Sequence, residues 1–302
     1  MRRTLVGLSV ALVALATTAL PAAASAAPAR AEAVAQVSST AYALSPDFSG
    51  VYEYTGSGAG WNKIGGPASH LYAGYGIVLA TNPQSGDVYR YTGSGQNWER
   101  IGGPGRTFAI ALDPVLGGVA IYGLAPDGSG VYSWAGGTTW NKVGGPAAWL
   151  YGGGAGLFAT NPQTGNIYRY SWDTRNDWDM VGGPGKDFAV TDDGLYGLTP
   201  SGNAVNKWAG GQTWAQVGGP AGWLYSGGSS ALLATDPKSG DVFSYSGAGQ
   251  LWYHIGGPGA DFEISSSGSV YGLAPSKNAV YRFRSGSTWD FVGGPASVLA
   301  AS

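Results

Sequence analysis

An all-β protein of seven repeated four-stranded sheets is what this sequence predicts, on three observations. The phrase W-x-x-(I/V)-G-G-P occurs seven times, starting at Trp61, Trp98, Trp140, Trp178, Trp214, Trp252 and Trp289, so that one unit spans about 38 residues. Short β-branched or aromatic runs are separated throughout by Gly, Asn, Asp and Pro, the residues that tight turns require. Beyond the N-terminal segment, no run of ten or more residues carries an apolar period of 3.6. Glycine is abundant, at 53 of 302 residues, yet 12 Trp and 18 Tyr supply the bulk that disordered Gly-rich chains lack.

The chain begins as an export signal would. Arg2 and Arg3 precede the apolar run LVGLSVALVALATTAL, and A-S-A at 24–26 offers a small-residue cleavage site, with A-R-A at 29–31 as a later one. Residues 33–302 are then expected as a single secreted domain. No later stretch is apolar enough to span a bilayer, so membrane insertion is not expected.

Seven units follow, at residues 33–67, 68–104, 105–146, 147–184, 185–220, 221–258 and 259–295. The fifth, GKDFAVTDDGLYGLTPSGNAVNKWAGGQTWAQVGGP, has four strand-like segments, F-A-V, L-Y-G-L-T, A-V-N-K-W and T-W-A-Q-V, divided by turn phrases. Such a series makes an antiparallel meander. In V-Y-R-Y, L-Y-G-L and V-F-S-Y bulky residues occupy both parities, so both faces of each sheet must be covered. Sheets stacked between two like neighbours do this when the repeats close into a seven-bladed β-propeller of four-stranded antiparallel blades. The signature Trp and the aliphatic residue three positions later should then face opposite neighbours. Gly-Gly is expected to allow unusual backbone angles, and Pro to end the outer strand.

The units alternate in type. Units two, four and six begin Ala after the Pro and later carry A-T-(N/D)-P; units three, five and seven begin Gly and carry Y-G-L-(A/T)-P. Unit three has an insertion around L-D-P-V-L-G-G, and unit four one in S-W-D-T-R-N-D, which places Trp172 on a turn. The first unit reads as complete, and the tail A-S-V-L-A-A-S starts an eighth unit, expected as an extra strand that helps to close the ring beside the first blade.

Composition excludes several chemistries. A net charge of −2 with 11% charged residues gives phosphate no basic surface, so nucleic acid is not an expected partner. Without cysteine there are no disulfides, thiolate zinc sites or cysteine nucleophiles. The two histidines, His70 and His254, stand at unrelated places in the repeat. Asp87, Asp127 and Asp241 belong to turn phrases, and nothing pairs Asp187, Asp192, Asp193 or Asp261 as opposed carboxylates would be paired. The run Gly152–Gly154 lacks the Lys-Ser/Thr of a phosphate loop. The expectation is therefore no enzyme, no catalytic residues, no metal and no cofactor.

Aromatic residues outside the signature are more informative. Trp134 and Trp208 take the third-strand place held elsewhere by Tyr54, Tyr91, Tyr170, Tyr245 and Phe283, which reads as packing between blades. Trp149 and Trp223 stand three residues after the Pro, where unit two has His70, and Tyr151, Tyr225 and Tyr72 follow two residues later. Two readings of this set stay open. It is core packing, or it is a flat apolar face with hydroxyl partners, which is what a sugar ring needs.

The phrase W-x-x-(V/I)-G-G-P, followed by a short strand, Y-G-L, a turn, I-Y-R-Y and another Trp, resembles tectonin repeats and, more loosely, tachylectin-type propeller lectins. The likeness runs over about residues 33–295. It implies a propeller that binds carbohydrate in several equivalent pockets, often N-acetylated or methylated sugars on microbial surfaces. On that basis the expected function is a secreted, multivalent, monomeric carbohydrate-binding protein, with His70, Tyr72, Trp149, Tyr151, Trp223 and Tyr225 as the binding set. The alternative is a propeller scaffold for protein contacts or cell-envelope organisation.

Overall fold

The computed structural model describes residues 40–113, 117–172 and 177–302. The segment read as an export signal and the start of the first unit lie outside the described residues, as do 114–116 and 173–176 of the two insertions. The described chain forms 28 strands in seven four-stranded antiparallel sheets, the blades of a seven-bladed β-propeller. Blades two to seven each use four consecutive strands, ordered from the axis outward. Each pair of neighbouring blades shares one apolar cluster, seven in all.

Blade one corrects the sequence reading. Its innermost strand is the tail, Val298–Ala301, paired antiparallel with Ala41–Leu44 from Leu44↔Val298 to Ala41↔Ala301. Val51–Tyr54 and Trp61–Gly65 complete it. The tail is thus not a supplement to a finished blade but its first strand. The blade is also a hybrid: its inner strand starts like those of blades two, four and six, and its other strands follow the second type. Ala296 N–H donates to the Lys277 carbonyl at 3.0 Å, as Ala68, Ala147 and Ala221 donate to the carbonyls of Phe48, Gly128 and Gly202.

The repeated phrase has one physical job in every blade. The fourth strand bulges at its Ile or Val. In blade one Val51 is opposite Gly65 and Tyr52 opposite Lys63, so Ile64 has no cross-strand partner. That bulge frees the Ile64 carbonyl, and the Trp98 indole of blade two donates to it at 2.6 Å. The same bond runs from Trp140 to Ile101, Trp178 to Val143, Trp214 to Val181, Trp252 to Val217, Trp289 to Ile255 and, across the closure, Trp61 to Val292, at 2.6–2.9 Å. Trp61 packs in the cluster toward blade seven and Ile64 in the cluster toward blade two, so the two do face opposite neighbours.

The first Gly of each phrase is explained by room and not by backbone angle. A Cβ at Gly102 would lie 2.6 Å from Trp140 Nε1, and one at Gly182 2.7 Å from Trp214 Nε1. Only Gly293 among the seven has a positive φ, of 141°. The second Gly has such a reason only in blade seven, where Gly294 has a φ of 119° and its Cβ would lie 2.8 Å from Ala279 Cα; a Cβ at Gly66, Gly103, Gly145, Gly183 or Gly219 would meet nothing within 4 Å. Nothing in the structure explains the second Gly at those five positions.

Close approach also accounts for Gly152–Gly154. Cβ atoms at Gly152 and Gly153 would each lie 2.4 Å from carbonyl oxygens, of Ile110 and Val190, where inner strands crowd the axis. At the turns after the inner strands, Tyr75 of blade two donates its hydroxyl to Asp192 Oδ1 of blade five at 2.6 Å, a bond across the ring.

Candidate functional site

The places where blades two, four and six begin their inner strands share one local design. The chain arrives from the preceding Gly-Gly-Pro and pairs at once with the end of the second strand. Ser69 N–H donates to Thr81 O, Ala148 to Thr160 O and Gly222 to Thr235 O, at 2.7–2.9 Å. The turn that follows each Thr is fixed by an Asx side chain. Asn82 Oδ1 accepts from Gln84 and Ser85, Asn161 Oδ1 from Gln163 and Thr164, and Asp236 Oδ1 from Lys238 and Ser239. Three repeats of A-T-(N/D)-P thus give three equal rims.

On these rims the residue three positions after the Pro projects into solvent. Trp149 is 46% exposed and Trp223 56%, whereas the seven signature tryptophans are held between blades. Exposure on this scale is uncommon for so large an apolar surface. His70, also exposed, keeps its Nδ1 3.4 Å from Thr81 Oγ1. The preceding blade contributes a neighbour at two of these places: Lys186 Nζ lies 5.4 Å from the Trp223 ring centroid, and Phe48, 41% exposed, is bonded through its carbonyl to the Ala68 that leads to His70.

Of the predicted pairs, His70 and Tyr72 stack, with ring centroids 6.4 Å apart and planes 27° apart, and all three tyrosines, half-buried, also turn toward the next blade. Tyr72, Tyr151 and Tyr225 pack edge-on against Phe108, Phe188 and Phe262 of the next blade, with centroids 5.5–5.6 Å apart. Burial raises the phenol pKa of Tyr72 and Tyr151, and that of Tyr225 to about 12, where the charges of Asp261, Asp187 and Glu263 add to it. The spacing of two suggested one continuous face; each Tyr also meets a Phe of the next blade, so it is shared between the rim and the contact between blades. Trp134 and Trp208 do pack between blades, and the guanidinium carbons of Arg90 and Arg169 lie 4.9 and 5.5 Å from their rings. Trp172, expected on a turn, has its indole inside the cluster between blades three and four and donates to Tyr122 Oη at 2.9 Å.

Two features were missed. A cavity of about 200 Å³ lies between blades five and six, lined by Gly219, Pro220, Thr235, Asp236, Phe243 and Trp252. Thr235 belongs both to it and to the rim, since its Oγ1 accepts from Trp223 N–H at 3.1 Å. The second is Glu263, on the inner strand of blade seven where blades three and five have Ala109 and Ala189. Burial, and then the charge of Asp261, push its carboxyl well above the usual range, and burial raises Asp261 to about 6. Aligning D-F-E-I with D-F-A-V and T-F-A-I shows the substitution in sequence.

No protein-family model matches the chain, and no curated protein matches it. Solved structures do. A streptogramin B lyase superposes with a TM-score of 0.53 at 11% identity, covering 83% of this chain and 92% of its own. The virginiamycin B lyase of Staphylococcus aureus gives 0.51 at 13%, covering 80% and 90%. A protein of unknown function from Desulfotomaculum acetoxidans gives 0.57 at 10%, covering 87% and 99%. At these identities the likeness shows the fold alone. It nevertheless overturns the expectation that the chain is no enzyme. That expectation rested on the lack of a legible catalytic set, and two structures that share the fold are lyases. Sequence poverty in catalytic motifs is no ground for excluding catalysis on this scaffold.

Proposed function

We propose that the protein is exported and binds carbohydrate at the inner-strand starts of blades two, four and six. The observation that carries this reading is the pair of solvent-exposed indoles, Trp149 and Trp223, at equivalent places in blades four and six. A sugar ring lays its C–H face on an indole and takes hydrogen bonds at its edge. The exposed turns after the rim threonines supply an Asn amide in blades two and four and the Asp236 carboxylate in blade six, and the cavity between blades five and six gives the Trp223 site depth. The resemblance to tectonin-type lectins points the same way. Blade two, with His70 and Phe48, is a divergent third site.

A glycan array followed by calorimetry tests the proposal. Trp149→Ala and Trp223→Ala should each remove about one equivalent of sugar bound, with melting temperature within a degree or two of the parent, because an exposed side chain contributes little to the core. A folded double variant that binds as the parent does would place the sites elsewhere. The scaffold alternative draws on a different patch: Leu251, Tyr253 and Phe291 are exposed at the outer edges of blades six and seven, where the other blades carry mostly polar residues. Changing these three to Ser should leave glycan binding untouched.

A further inference from the structure

The two exposed tryptophans share a second property that the lectin reading does not require. The blade before each one carries a cation two residues after its Pro: Arg106 before Trp149, and Lys186 before Trp223. Their backbones are held alike, with Arg106 N–H donating to Leu124 O and Lys186 N–H to Leu198 O, both at 2.9 Å. Their side chains run over equivalent glycines. Arg106 Nη1 lies 3.2 Å from where a Cβ on Gly128 would stand, and Lys186 Nζ 3.6 Å from the same point on Gly202. The carbonyls of these glycines accept from Ala147 and Ala221 at 3.0 Å, two residues before the tryptophans. Each cation is therefore fixed one short loop from its indole, and Lys186 is near enough to interact with the Trp223 ring.

Cation and indole occur together and are lost together. At the junction of blades seven and one the corresponding residues are Ala260 and Val298, and at that of one and two they are Ser297 and His70. Neither Arg106 nor Lys186 forms an ion pair among the described residues, whereas Arg100, Lys207 and Arg284 do, with Asp87, Asp193 and Asp290. The acids nearby already spend oxygens on the main chain. Asp187 accepts from Phe188 and Leu224 at 2.9 Å, Asp236 from Lys238 and Ser239, and Asp127 from Ser129. Lys186 lies beside the Trp223 ring and Arg106 one loop from Trp149; although the charge of Lys186 is felt by Asp187, neither cation is held in an ion pair, so each is available for an anion on whatever stacks there.

We propose that the ligand of blades four and six is an acidic saccharide, whose ring lies on Trp149 or Trp223 while its anionic substituent reaches Arg106 or Lys186. The proposal rests on the carbohydrate reading above and adds the charge of the substrate. It also accounts for how a chain of net charge −2 would hold a polyanion: through two placed cations and not through a general basic field. Blade two, with Ser297 in place of the cation, should not share the preference.

The test uses the mature chain with three polymers: neutral dextran, carboxylated polygalacturonate and dextran sulfate. The parent should bind at least one acidic polymer at least tenfold more tightly than dextran, and the advantage should shrink as salt is raised from 20 to 200 mM. Arg106→Gln and Lys186→Gln should each cut acidic-polymer binding about tenfold, as expected for one charge-assisted hydrogen bond, and cut dextran binding by much less. Lys186→Arg should retain it. Preference for the carboxylated or the sulfated polymer identifies the anion. If the double tryptophan variant binds all three polymers like the parent, the carbohydrate reading fails. If the tryptophans are required but dextran binds equally well, or the glutamine variants match the parent, only the acidic assignment is overturned.

Discussion

Trp214 and Trp223 stand nine residues apart and do opposite things. The first donates its indole N–H to Val181 of the neighbouring blade and packs in the core between blades four and five; the second faces water. Trp214→Ala should therefore cost about 3–5 kcal/mol, as a large core deletion does, and Trp223→Ala almost nothing by thermal melting. The two glycines of the signature separate in the same way. Gly182→Ala would force a methyl group to within 2.7 Å of Trp214 Nε1, whereas Gly183→Ala meets no atom and has an ordinary backbone angle. Chemical denaturation should show the first clearly destabilised. The second should be neutral, or stabilised by up to about 1 kcal/mol through the unfolded chain. Equal losses would mean that the indole contact is not what the first glycine protects. Sequence alone presents Gly-Gly as one motif, because it records identity and not what each position touches.

At the scale of a strand, local pattern was a good guide and neighbourhood was not. Turn chemistry and the mixed parity of V-Y-R-Y and L-Y-G-L located the strands and required both faces of every blade to be covered, and both hold. The spacing of Tyr151 from Trp149 does not reveal that Phe188, supplied by another blade, packs edge-on against the Tyr. Glu263 is a similar case: ordinary in its own unit, it is out of place only where inner strands meet. Its carboxyl and that of Asp261 have raised pKa values in the fold, so the folded state favours their protonated forms. Their contribution is intact below the ordinary carboxylate pKa and is lost as pH rises through the raised folded values, about 6 for Asp261. Glu263→Ala, which installs the residue of blades three and five, should leave the melting temperature near that of the parent at pH 4.5 and raise it at pH 8. A difference that does not change with pH would show that Glu263 is ionised at no cost.

Under the proposed function, the whole ring would turn weak sites into a strong one. A single stacking surface with a few hydrogen bonds holds a sugar only at about 0.1–1 mM. Two or three such rims on one rigid ring can gain roughly 10²–10⁴ on a surface dense in the same sugar. Trp149→Ala should thus reduce retention on a glycan-coated surface far more than it reduces the amount of free sugar bound, and surface plasmon resonance at two ligand densities would separate the effects. Equal losses at both densities would mean that the sites act singly. The number of blades was legible from the count of signatures. The closure was not, because the pairing of Ala41–Leu44 with Val298–Ala301 joins segments that no local pattern connects.

That closure fixes a schedule. Ala41–Leu44 is made early and its inner partner Val298–Ala301 only after the other six blades, which at about 5–20 residues per second is a wait on the order of 10–50 s. Through that interval blade one has an open inner edge with unpaired amides and carbonyls. A second nascent chain carries the same tail, so the fold's particular hazard during synthesis is exchange of the last strand between neighbours, each completing the other's ring.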